Sequence, residues 1–140
     1  KKIKIFKHSK DLPSEYFDTI ISNHALEHCD NPFLELKELY RSLKKGGLIC
    51  IVVPTDNKKN KFKKKDKFKH LYSWSPSNLG NILEAIGFDV LESKPFIHKW
   101  VPFYFKVKKI VPWFIFHLLC RLYGSLNHNW WQTRAIAKKI

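Results

Sequence analysis

Two histidines and a glutamate stand close together in the stretch FDTIISNHALEHCDNP, residues 17 to 32: His24, Glu27 and His28. On one helical face, two imidazoles a turn apart beside a carboxylate can ligate zinc. At the end of a strand the same residues have other uses. Imidazole is the default general base near neutral pH. The carboxyl ends of strands are where open α/β sheets bind their ligands. The elements around the motif decide between these chemistries.

Those elements read as alternating strands and helices. Lys2 to Phe6 alternates and is β-branched, which predicts a short strand. Phe17 to Ser22 is an apolar run of the kind buried on both faces of a parallel sheet. A helix is expected next. Asp30 or Asn31 can cap it, Pro32 suits its first position, and Leu36, Leu39, Tyr40 and Leu43 form its apolar stripe. Gly46-Gly47 is expected to stop it, and Leu48 to Val53 to form the next strand. A second helix starts at Ser75-Pro76, turns Leu79, Ile82, Leu83 and Ile86 inward, and ends at Gly87. Phe88 to Leu91 begins another strand, His117 to Tyr123 reads as helix, and Gln132 to Ala137 as a last strand. Such alternation indicates an α/β fold with a largely parallel sheet. Its buried positions should include Ile20, Ile21, Ile49, Ile51 and Val53.

In this context a peptidase-type zinc site is not expected. His24 follows a strand, and Pro32 starts a new element four residues beyond His28, leaving room for about one helical turn. Such a site also needs a carboxylate ligand further on. Glu84, Asp89 and Glu92 are the last acidic residues, and none has ligand-like neighbours. No metal ligand is therefore assigned.

Three further stretches carry a resemblance. FDTIISNHALEH, then LKELYRSLKKGGLICIVVP, then HLYSWSPSNLGNILEAIGFDVLES follow in the order seen in class I S-adenosylmethionine-dependent methyltransferases of the small-molecule and glycan type. QTRAIAKK resembles the last, antiparallel strand of that sheet. The likeness covers most of residues 3 to 98 and implies a partial Rossmann-like methyltransferase fold, mostly parallel with an antiparallel last strand. It implies S-adenosylmethionine as cofactor and a small molecule or glycan precursor as methyl acceptor. The family's glycine-rich loop and the ribose-binding acid have no counterpart in these 140 residues. The chain is thus expected to be the carboxyl-terminal part of one domain, inactive alone, with a lysine-rich loop at 55–70 and an aromatic, basic insertion at about 100–124.

Carried over by position, His8 and Ser9 would meet the adenine, with His8 standing where Asp is common. Ser22, Asn23 and His24 would pass beside the sulfonium and amino-acid part. His28 and His70 are the candidate bases for an acceptor hydroxyl. For Asn23 the alternative is a turn residue with an unusual backbone angle. For His28 and His70 the alternative is packing or capping.

Charge offers a competing reading. The net charge is +14 and the pI about 9.8, which suits nucleic acid or an anionic membrane surface. Only Arg41, Arg121 and Arg134 are arginines, however, and readers of bases and phosphates favour the arginine fork. No specific nucleic-acid partner is expected. Aromatic residues interleave with lysines over residues 99–116, which suits a lid over a substrate or weak peripheral contact with a membrane. The stretch from Val111 to Tyr123 is too short and too interrupted to span a bilayer. Cys29, Cys50 and Cys120 are few, odd in number and far apart, which fits a reducing, cytoplasmic setting rather than a disulfide framework.

Overall fold

The computed structural model describes residues 3–56, 61–62, 64–65, 68–126 and 131–140. Among these residues, four strands and four helices follow in the order β1 (Phe17–Asn23), α1 (Pro32–Ser42), β2 (Leu43–Pro54), α2 (Pro76–Ile86), β3 (Phe88–Phe96), α3 (Tyr104–Ile110), α4 (Trp113–Leu126) and β4 (Gln132–Lys139). One-turn 3-10 helices lie at Ser9–Asp11 and Leu26–His28. The strands form one sheet in the order β1-β2-β4-β3. β1 and β2 are parallel; β4 runs antiparallel to both β2 and β3.

Local signals account for the helix ends. Asn31 caps α1 by accepting from the amide of Leu34 at 3.1 Å, and Pro32 fills its first turn. Ser75 caps α2 by accepting from the amide of Asn78 at 3.2 Å. Gly87 closes α2 at φ 112°, a left-handed angle that favours glycine.

The helices α1 and α2 pack together on one face of the sheet. Leu36, Leu79 and Leu83 are fully buried there against Ile49, Ile51, Val53, Ala135 and Ala137. Polar groups tie the same layer. Lys139 is nearly buried and donates to the carbonyl of Leu43 at 2.8 Å.

Four expectations are corrected. Residues 3–6 form no strand, and Ile3 and Ile5 are 91% and 89% exposed: the alternation is real, but no strand among the described residues pairs with it. α1 ends at Ser42, not at the glycines, and Leu43 already extends into β2. There the Ser42 and Leu43 carbonyls accept from the Tyr16 amide and the Lys139 ammonium, which ends the helical ladder. β4 does not lie at the side of the sheet but between β2 and β3. Ile21 is 76% exposed, while Ile20 packs against the core. With a period of two, neighbouring residues face opposite ways. The face that Ile21 shares with Leu48, Cys50, Val52 and Ile136 carries no helix of this core. The lysine-rich loop expected at 55–70 lies partly outside the described residues. Among those described there, Phe62 and Phe68 are exposed.

Candidate functional site

The parallel pair brings two carboxyl ends together. Asn23 is in register with Val52, and the next amide, that of His24, donates to the Val52 carbonyl at 2.8 Å. His24 then turns the chain out of the sheet at φ 51°. The unusual angle considered for Asn23 belongs to His24 instead; Asn23 completes β1 and is exposed. Leu26–His28 makes one 3-10 turn, with Leu26 and Glu27 buried and His28 on the outside. Leu26 is the anchor, only 2% exposed in the core beneath β2.

A distant segment completes the site. The amides of Leu71 and Tyr72 both donate to the Glu27 carbonyl, at 2.9 and 3.3 Å. The Tyr72 hydroxyl donates to the Asp30 carbonyl at 3.0 Å. Trp74 is held from the other side, where its carbonyl accepts from Thr55 at 2.6 Å and Thr133 at 2.7 Å. These bonds carry His70 onto the 3-10 turn. Its ring centroid lies 5.0 Å from that of His28, edge to face.

Glu27 sits at the centre. It is completely buried, and neither carboxylate oxygen has a hydrogen-bond partner. Three imidazoles surround Oε1: His24 Nδ1 at 3.3 Å, His28 Nε2 at 3.9 Å and His70 Nε2 at 4.0 Å. The 3.3 Å approach is close enough for an ion pair but is not aligned as a hydrogen bond. On its far side, His24 Nε2 lies 2.9 Å from Gln132 Nε2. An amide nitrogen can only donate, so His24 accepts there and turns its Nδ1 proton towards Glu27. Cys29 follows directly. Burial pushes its thiol above the ordinary range, and the nearby Glu35, Glu27 and Asp30 carboxylates push the same way. It is a poor nucleophile.

The candidates therefore fall into two groups. His24, His28 and His70 meet around Glu27. Ser22 and Asn23 lie just before them on β1. His8 and Ser9 lie elsewhere, at the start of the first 3-10 turn. His8 is exposed, and the Ser9 hydroxyl donates to Glu35 on α1 at 2.7 Å. The role of Glu27 escaped the sequence reading, which weighed it only as part of a helical motif. The missing signal was its burial, since a charged residue is seldom fully buried without a partner. A shallow depression at the opposite, amino end of β1, lined by Tyr16, Phe17, Asp18, Thr19 and Lys44, holds none of these residues.

The model of the methyltransferase-domain family matches residues 2–93. Comparison with curated proteins finds no match. Among solved structures, a SAM-dependent methyltransferase from Aquifex aeolicus is 18% identical, covers 100% of this chain and 55% of its own, and has a TM-score of 0.55. A methyltransferase from Bacillus halodurans is 20% identical over 94% of this chain and 75% of its own, with a TM-score of 0.58. The 1,6-didemethyltoxoflavin-N1-methyltransferase of Burkholderia thailandensis, solved with S-adenosylhomocysteine, is 18% identical over 94% of this chain and 48% of its own, at a TM-score of 0.59. These likenesses show a shared fold. The chain spans about half the length of several such structures, 55% and 48% in two of these three. With two thirds of its residues under the family model and this sheet order, the chain belongs to the methyltransferase-domain family.

Proposed function

We propose that the chain forms the acceptor side of an S-adenosylmethionine-dependent methyltransferase acting on a hydroxyl of a small molecule or glycan precursor. The observation that carries this reading is the juxtaposition at the carboxyl end of β1: strand-end polar groups, then three imidazoles around one carboxylate. The cofactor supplies a methyl group on a sulfonium, open to in-line attack. The residues present fit one wall of such a site. β1 is the edge of the sheet, so alternate backbone groups from Phe17 to Asn23 are not used by β2. Ser22, Asn23 and the His24 backbone would face the methionine part, and His8 and Ser9 the adenine. Alignment of the acceptor supplies most of the rate. His28 and His70 are the exposed imidazoles of the cluster, with side chains 45% and 33% accessible, and one of them would accept the acceptor's proton. Glu27 would orient them and stabilise the imidazolium that forms.

The five glycines of the chain are Gly46, Gly47, Gly80, Gly87 and Gly124, and none forms a glycine-rich turn between a strand and a helix N-terminus. Such a turn normally holds the charged part of a nucleotide cofactor. The 140-residue chain alone should therefore not bind S-adenosylmethionine appreciably. Calorimetric titration of the chain tests this, beside a longer protein that carries such a turn. The longer protein should bind and transfer methyl groups, and His28→Ala with His70→Ala should abolish transfer while leaving cofactor binding. Micromolar binding by the 140-residue chain alone would put the cofactor elsewhere and sink these assignments.

A second reading concerns α3 and α4. Phe103, Ile110 and Trp113 are 79%, 80% and 72% exposed beside Lys106, Lys108 and Lys109, and no Asp or Glu follows Glu92. No described helix is long and apolar enough to cross a membrane. The pair suits weak, peripheral contact with an anionic bilayer. Sedimentation with phosphatidylglycerol vesicles, but not with phosphatidylcholine vesicles, would support it; equal sedimentation with both, or with neither, would rule it out.

A further inference from the structure

A buried carboxylate without a donor is a rare arrangement, because an uncompensated charge strongly disfavours burial. Glu27 is 0% exposed with both oxygens unpartnered, yet three imidazoles converge on it. Imidazolium partners would be expected at hydrogen-bond distance, about 2.7–2.9 Å. His28 Nε2 and His70 Nε2 instead stand off Oε1 at 3.9 and 4.0 Å. One ligand atom from each of Glu27, His28 and His70 can be chosen so that all three lie within 4.8 Å of one another. Two ligands bonded to zinc at about 2.0–2.2 Å sit roughly 3.3–3.6 Å apart at tetrahedral angles. Closing the set around a central ion asks for a contraction of about 0.3–0.7 Å between Glu27 and each imidazole and of up to about 1.5 Å between the two imidazoles, which side-chain rotation at two exposed histidines can supply.

We propose that Glu27, His28 and His70 bind one divalent cation of the zinc class, with at least one coordination position open to solvent. Two imidazoles and a carboxylate suit such borderline ions better than calcium or magnesium, which prefer all-oxygen sites. The segment that brings His70 to Glu27 is fastened by folding alone. The Leu71 and Tyr72 amides fasten the His70 segment to the backbone of Glu27 itself. His24 is not a ligand in this arrangement. Gln132 occupies its Nε2, and its Nδ1 faces Glu27 as an outer partner of the kind that fixes ligand orientation. A peptidase-type zinc site needs two histidine ligands one helical turn apart and a downstream carboxylate. The fold offers a different set, in which the carboxylate is Glu27 and the second histidine comes from a loop 42 residues beyond His28 (70 − 28).

Binding rests on residues of this chain alone; the role of the ion rests on the methyl-transfer reading. With the ion bound, the two Nε2 atoms are ligands, and His28 or His70 acts as base only in the ion-free enzyme. An acceptor hydroxyl held at the open position is acidified by the cation, and its proton leaves to solvent.

The test is titration of the untagged, chelator-stripped chain with Zn²⁺ by calorimetry, and with Co²⁺ by visible absorption, which reports nitrogen and oxygen ligation. One ion per chain is expected. His28→Ala and His70→Ala, both at exposed positions, should each weaken binding by more than the roughly 10–100-fold that an outer partner is worth. Glu27→Gln should do the same. His117→Ala, outside the cluster, should leave binding unchanged, and circular dichroism should show every variant folded. Absence of saturable binding would overturn the proposal, as would binding that survives both histidine variants. The methyl-transfer reading fails separately: an enzyme that binds the ion but never transfers methyl keeps the site, and one that transfers methyl after the ion is stripped removes its role.

Discussion

Replacing Glu27 by Gln should stabilise the metal-free chain, which is the reverse of what loss of a central buried residue usually does. Glu27 is fully buried, and neither oxygen accepts an aligned hydrogen bond. Its nearest imidazoles stand 3.3, 3.9 and 4.0 Å away without hydrogen-bond alignment. Gln keeps the shape and removes the charge. Leaving a buried charge uncompensated typically costs about 3–5 kcal/mol, and an unsatisfied neutral polar group about 1–3 kcal/mol. The difference predicts a gain of about 1–3 kcal/mol in the absence of metal. For a domain of this size each 1 kcal/mol moves the melting temperature by about 2–4 °C. With a divalent ion at a hundred times its dissociation constant, the parent chain should recover about 2.7 kcal/mol and the variant nothing. Adding zinc should therefore close the gap or reverse the order of stabilities. Thermal unfolding followed by circular dichroism, with chelator and with zinc, gives the four melting temperatures needed. A Glu27→Gln chain less stable than the parent in chelator, with zinc shifting neither, would refute the reasoning. Glu27 would then be compensated by its imidazoles.

Three other predictions follow from packing and charge. Ile51→Ala should cost about 2–5 kcal/mol in denaturant unfolding, whereas Ile21→Ala should change stability by less than about 0.5 kcal/mol, because only Ile51 is in the core. Gly124→Ala should loosen α4 from the chain after β3, since the added methyl would meet Ile97 Cγ2 at 2.8 Å and the Lys99 amide nitrogen at 3.2 Å; faster exchange of the Lys99 amide, which donates to the Cys120 carbonyl, would report it. His98 is held below the ordinary imidazole value, first by burial and then by His117 and Arg121, so unfolding takes up a proton there. Its contribution to stability falls as pH drops through about 6.5, and the slope of melting temperature against pH between 7 and 5.5 should flatten in His98→Gln.

Much of the fold was legible because local rules and burial agreed. Asn31, Pro32, Ser75 and Gly87 mark helix ends by backbone chemistry that acts within a few residues. The buried runs around Ile20 and Ile51 mark the parallel pair. Errors arose where a tertiary partner decided. The alternation at Lys2–Phe6 meets no neighbouring strand among the described residues. The helix through Leu43 was cut short by Tyr16 and Lys139, the latter 96 residues away in sequence. α3 was not foreseen, since its seven residues bury no side chain and so show no apolar stripe. The site was half legible. Strand and Pro32 spacing placed His24 to His28 at a strand end, but nothing local says that His70 arrives beside them.

The arrival of His70 also explains why the site stands at the carboxyl end of the sheet. Thr55, the residue after β2, and Thr133, on β4, share one acceptor, the Trp74 carbonyl, and lie 2.6 Å from each other. That knot ties the chain entering α2 to the ends of two central strands. Four residues earlier the same segment carries His70, and two residues earlier the Tyr72 ring, tilted 5.9 Å from Trp74, reaches Asp30. His24 is fixed from the other flank by Gln132, the first residue of β4. Each of the three imidazoles described around Glu27 is thus referenced to the sheet through β1, β4 or the Trp74 knot. A loop anchored in this way loses little entropy when a ligand binds, because the ordering has already been done by folding. Thr133→Val should accordingly weaken cation binding without touching a ligand, while a change at the opposite end of β1, such as Lys44→Ala, should not. Equal affinities in the two variants would show that the knot does not position the site.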